Sequence, residues 1–128
     1  MQYHIDSRGE FSELFKAIRQ ILLSYPQLNE VKNAKQTSYA DEYGMVAMIR
    51  SQSNRFVVAL GKGAKLQEKY PMLEGSGKIV RHLYYKNIDD LDEALLRKII
   101  EESFILGMEA YEIKLLKCGI RSNKKNVK

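Results

Sequence analysis

Two glycine pairs and the cations beside them are the part of this sequence best suited to chemistry. They read Gly61-Lys62-Gly63 and Gly75-Ser76-Gly77-Lys78, with Arg81 shortly after. Glycine lets backbone amides approach an anion closely, and Lys62, Lys78 and Arg81 would add positive charge. Lys62, Gly63, Gly75, Gly77, Lys78 and Arg81 are therefore the candidate binding residues, for an anion or a small molecule carrying one. The second stretch is not a nucleotide-binding P-loop. That motif wants glycine where Met72 stands and Ser or Thr where Ile79 stands, and it feeds a helix rather than a strand. The plainer reading is that the glycines make turns and that Arg81 is structural. Arg81 shares a strand face with Ile79 and Leu83. If that face is inward, its guanidinium needs a partner such as Glu74 or a ligand anion.

Catalytic constellations are absent from the residue pattern. Histidine occurs twice, as His4 and His82, and cysteine once, as Cys118. There is no zinc-protease motif, no paired-cysteine ligand set and no nucleophile elbow. A triad can assemble from distant positions, yet His82 has no nucleophile beside it and reads as a sheet-surface residue. Tyr84 and Tyr85 read as sheet packing. The expectation is a protein that binds rather than one that catalyses.

The elements that must position these residues follow from periodicity. Ser7-Arg-Gly-Glu10 has capping-box spacing, and Phe11, Leu14, Phe15, Ile18, Ile21 and Leu22 follow at helical intervals. This predicts one helix from about Arg8 to Leu23, ended by Pro26. Glu30 to Tyr39 is polar and fits an edge strand. Met45 to Arg50 and Arg55 to Leu60 read as a hairpin around Ser51–Asn54. Ala64 to Tyr70 has room for two helical turns, and Lys78 to Tyr85 reads as the last strand. Leu91, Leu95, Leu96, Ile99, Ile100 and Phe104 mark a second amphipathic helix. The acids at its start, Asp89, Asp90, Asp92 and Glu93, suit capping and the helix dipole. Gly107 is expected to bend or break this helix, with a further segment from Met108 to about Lys117.

Strands joined by short turns pair antiparallel, and two amphipathic helices need a sheet face to cover. The fold class is thus α+β: a two-layer sandwich of about four or more antiparallel strands with N- and C-terminal helices on one face. Met45, Val46, Met48, Val57, Val80 and Tyr84 are more apolar surface than one layer hides, which makes a homodimer the expected assembly.

Composition sets the outer bounds. The chain is 45% hydrophobic and 29% charged, ordinary for one globular domain. Residues 1–120 read as that domain and 121–128 as a flexible basic tail. The net charge of +5 is uneven. From Ile113 to Lys128 there are six basic residues and no acidic one, so residues 1–112 are close to neutral. A neutral body does not form the basic stripe that nucleic acid requires. No apolar run is long enough to span a membrane, and Cys118 cannot form an internal disulfide. No secretory segment opens the sequence, so the expected location is cytoplasmic.

Gly61-x-Gly63-Ala64-x-Leu66, Leu73-Glu-Gly-Ser-Gly-Lys78, Val80-Arg-His-Leu83 and the Asp89-Asp90 pair before a Leu/Ile-rich helix together resemble the YdhG-like family, domain of unknown function 1801. The resemblance runs from about Phe11 to Phe104 and is sharpest between Gly61 and Leu83. It implies a frataxin-like α+β sandwich. It also implies a role as an intracellular iron carrier that serves iron–sulfur cluster and haem assembly proteins. Iron handed from protein to protein needs hard oxygen ligands that cluster without caging. On the first helix these would be Glu10 and Glu13. Arg8, Lys16 and Arg19 interleave with them, and Asp41, Glu42 and Glu30 lie further along. The readings to be weighed are a non-catalytic carrier, with iron as its cargo, and an anion-binding domain built on the two glycine loops.

Overall fold

The computed structural model describes the backbone of residues 1–126 and the side chains of residues 1–119. Along the chain lie α1 (Gln2–Arg8), α2 (Ser12–Leu23), β1 (Asn29–Lys32), β2 (Thr37–Asp41), β3 (Gly44–Ser51), β4 (Phe56–Leu60), α3 (Gly63–Leu66), β5 (Arg81–Tyr85), a single 3-10 turn (Ile88–Asp90) and α4 (Glu93–Asn126). The five strands form one antiparallel sheet whose spatial order is the chain order. The architecture is an α+β sandwich with its N- and C-terminal helices against the sheet. The expected basic tail at 121–128 lies outside the described side chains.

The pairing register sorts side chains by face. Ile49 stands opposite Val58, and Val58 opposite Leu83, while Phe56 stands opposite Tyr85. These residues point to the helices and are buried. Against them α2 sets Leu14, Phe15, Ile18, Ile21 and Leu22, the stripe read from the sequence. From α4 come Leu96, Ile99 and Ile100, all essentially without exposure. Each such side chain stabilises the fold by about 1.5–3 kcal/mol through its burial. Tyr39 and Ala40 flank a bulge against β3. Val46, the extra residue there, is buried with Ala47 beside it.

The N-terminus departs from expectation. There is no single helix from Arg8 and no capping box at Ser7. The Ser7 hydroxyl instead donates to the His4 carbonyl, inside α1. Gly9 adopts extended backbone (φ −85°, ψ −168°) and separates two helices. What holds α1 is Asp6, which is buried and accepts hydrogen bonds from the Ser51 amide (2.9 Å), the Ser51 hydroxyl (2.6 Å) and Gln2 Nε2 (2.8 Å). The polar segment expected as one edge strand is a β1–β2 hairpin. Its turn is closed by the Asn33 amide donating to the Gln36 carbonyl.

The C-terminal helix also departs from expectation. It passes through Gly107 without a break. A Cβ on Gly107 would lie 3.1 Å from Tyr43 Cβ, so this glycine serves close packing against the β2–β3 turn. From Met108 to Gly119 every residue is exposed. Tyr111 still packs on Tyr43 of the β2–β3 turn, ring centroids 5.3 Å apart, and the residues after it project past the sheet by roughly 12 Å as far as Gly119, at 1.5 Å per residue. Its start is capped by Asp92, whose Oδ1 accepts from the Leu95 amide, and Asp90 accepts from the Lys86 and Asn87 amides.

The second sheet face is shielded by its own side chains. The Arg55 guanidinium lies 3.6 Å over the Tyr84 ring, and His82 stacks on Tyr84 at 5.8 Å. Under this cover Val57 is only 2% exposed.

Candidate functional site

The first glycine pair, α3 and the segment before β5 enclose a hollow of about 240 Å³ lined by Gly61, Lys62, Ala64, Lys65, Lys78 and Ile79. Lys62 and Lys78, paired in the sequence reading, do come together there. Lys65 joins them. Its place in α3, one turn beyond Lys62, is a signal that the short helix pattern carried and that the glycine motifs obscured.

Local backbone geometry builds this hollow. Ala64 donates its amide to the Ile79 carbonyl at 2.8 Å, which ties α3 to the segment entering β5. Gly63 sits against Arg81 so closely that a Cβ would stand 2.8 Å from the Arg81 Cα. Any larger residue would push α3 off the sheet. Gly75 has φ +126°, a conformation that favours glycine. Beside it Glu74 and His82 exchange backbone hydrogen bonds at 2.9 and 2.8 Å, so the loop borders the β5 edge.

Arg81 does not line the hollow. Its Nε donates to Gln67 Oε1 at 2.8 Å, and Nη1 donates to the carbonyls of Val80 (2.9 Å) and Gly77. Glu74, its expected carboxylate partner, is engaged through its backbone instead. The guanidinium thus fixes the glycine loop, and Gly77 contributes a carbonyl that Arg81 clamps. Gly75 and Gly77 shape the loop that carries Lys78 and do not themselves line the hollow.

Glu10 and Glu13 lie elsewhere, both exposed, on the α1–α2 turn and the first turn of α2. Among the described residues no three His, Cys, Asp or Glu side chains converge as a metal-holding group.

Two further features were not read from the sequence. Between α4 and the β2–β3 turn lies a hollow of about 550 Å³ whose lining includes Asn29, Asp41, Glu42, Tyr43, Phe104 and Met108. Near the β1 edge, Arg19 makes a two-pronged pair with Glu30 (2.8 and 2.9 Å), and Tyr39 donates to the same carboxylate at 2.6 Å. Burial pushes Glu30 upward. The hydrogen bonds from Arg19 and Tyr39 outweigh it and hold the carboxyl below its ordinary range. Burial and the adjacent Glu30 drive the Tyr39 phenol well above its usual value. Lys32 Nζ sits 3.9 Å from the Tyr3 ring centroid, completing a cluster that docks α1 and α2 on the sheet edge.

Compared with protein-family models, with curated proteins and with solved structures, the chain finds no match in any of the three. What fold and site define together is a class: a five-stranded antiparallel α+β sandwich with a lysine-rimmed hollow at one end of α3.

Proposed function

We propose that this protein is a non-catalytic binding module for a small anion, a phosphate- or carboxylate-bearing molecule, held in the hollow between Gly61 and Ile79. One observation carries the reading. Lys62, Lys65 and Lys78 line the same hollow with no carboxylate in its lining, and none of them joins an ion pair among the described residues. Three lysines around one hollow, with no acidic residue in its lining, give it a positive potential that attracts an anion. Lysine is well suited to phosphate as a compact point charge. The volume is below the range of about 300–1,000 Å³ usual for drug-sized ligands, which favours a small one.

The test is titration with inorganic phosphate, pyrophosphate and citrate, read by amide shifts in NMR. Shifts should centre on Gly61–Lys65 and Lys78, and binding should weaken with added salt. A variant combining Lys62→Ala and Lys78→Ala should lose at least about tenfold in affinity, equal to about 1.4 kcal/mol. Absence of binding by all three probes, or binding unchanged in that variant, overturns the reading.

A carrier of iron is the second reading and rests on the family resemblance. Glu10 and Glu13 would supply the oxygen ligands, and iron–sulfur or haem assembly proteins would be the recipients. Fe(II) titration of the protein and of Glu10→Gln/Glu13→Gln separates the two readings, since the lysine variant leaves these carboxylates untouched.

A further inference from the structure

We infer that this chain pairs with a second copy of itself through its projecting α4 helices, packed antiparallel, each lying beside the acidic hollow of the other. The seam is visible in the spacing. Phe104, Met108, Tyr111, Leu115 and Cys118 follow one another at intervals of four, three, four and three, the a/d pattern of helices that pack on helices. Met108, Tyr111 and Leu115 are 46%, 48% and 52% exposed; Tyr111 leans on Tyr43 of the β2–β3 turn, ring centroids 5.3 Å apart, and leaves the rest of this face open. A helix owes most of its stability in water to packing of its apolar face, so this segment calls for a surface to lie on.

Two observations commit that surface to another copy of the chain. First, the seam runs without interruption into the hollow of about 550 Å³, whose wall includes Phe104 and Met108. Second, the charges are complementary. The opposite bank of the hollow carries Asp41 and Glu42, which join no ion pair among the described residues. The sequence from Ile113 onward has basic residues and no acidic one.

The direction of pairing follows from the flanks. Lys114 stands two turns after Gly107 on the same side of α4, the side where Gly107 meets Tyr43. In an antiparallel pair, like flanks face each other. Lys114 of one copy then comes alongside the β2–β3 turn of the other, with Asp41 and Glu42. A parallel pair would set Lys114 against the flank of Glu112 and away from that turn. The antiparallel arrangement is self-complementary and closes as a two-fold dimer.

Sedimentation equilibrium of the full chain at micromolar concentrations tests this. The expected result is a dimer mass. Leu115→Asp should give a monomer that keeps the circular dichroism of a folded domain, because Leu115 is outside the core, with a melting temperature lowered only by the loss of the dimer linkage. Lys114→Glu and Glu42→Lys should each weaken self-association by about tenfold, and their combination should restore it. Cys118 reports the direction. In the antiparallel pair the two thiols are roughly 20 Å apart along the helices, so mild oxidation should leave them unlinked. A monomer throughout, a dimer indifferent to Leu115→Asp, or ready Cys118–Cys118 disulfide formation overturns the arrangement. So does a monomer that sediments with anionic lipid vesicles or oligonucleotides through these same residues.

Discussion

Gly63 lies against the backbone of Arg81, where a Cβ would stand 2.5 Å from the Arg81 Cβ and 2.8 Å from its Cα. Neither neighbour can yield, because both belong to the strand. Gly63→Ala should therefore destabilise the protein by about 1–3 kcal/mol, the range for forced overpacking. It should also open the lysine-rimmed hollow and weaken anion binding. Urea denaturation measures the first effect, and phosphate titration below the unfolding transition measures the second. Wild-type stability in the variant would contradict this close approach.

Arg81 is expected to act through the loop it holds. Its guanidinium bonds Gln67 and two carbonyls of the glycine segment. Arg81→Ala should cost about 1–3 kcal/mol through the partners left unpaired. Hydrogen exchange should speed up across Gly75–Val80. Arg81→Lys should recover only part of this, since an ammonium cannot span the fork of acceptors. A substitution that abolishes anion binding while leaving loop exchange unchanged would place Arg81 in the site itself.

Acid should weaken the fold through the β1 edge. Glu30 is held below its ordinary value in the folded state by Arg19 and Tyr39, so the folded protein binds fewer protons there than the unfolded chain. The stability it contributes is fully present above the unfolded carboxylate pKa of about 4.3. It is lost as pH falls through the lower, folded value. Glu30→Gln should be less stable than wild type at pH 7 by about 1–3 kcal/mol. The gap should close on acidification, as read from denaturation midpoints across pH. A gap independent of pH would sever Glu30 from the acid limb.

Much of this fold was legible because its core obeys simple periodicity. The stripe of α2, the β3–β4 hairpin and the Leu96–Ile99–Ile100 face are set by local alternation of apolar and polar residues. Three features were hidden because they depend on contacts distant in sequence. The Ser7–Glu10 spacing suggested a cap, but Asp6 bonds Ser51 and makes the preceding segment a helix of its own. Gly107 suggested a break, but its missing Cβ makes room for Tyr43. Arg81 counted as a ligand group, although its bonds to Gln67 and the loop carbonyls only arise once α3 and β5 are side by side. Lys62 and Lys78 could be paired from the glycine motifs that flank them. Lys65 follows only from the helical spacing of α3, which sets it one turn beyond Lys62 and at the same hollow.

Sheet order that repeats chain order has a consequence for synthesis on the ribosome. The first four strands can each zip onto the one before as they emerge, across short turns, and β5 follows once the longer segment carrying α3 is out, with no crossover to await. The inner sheet face then stays partly bare until Leu96, Ile99 and Ile100 have left the exit tunnel. A nascent chain arrested before that point would show paired strands and an uncovered apolar face, the kind of surface that chaperones recognise.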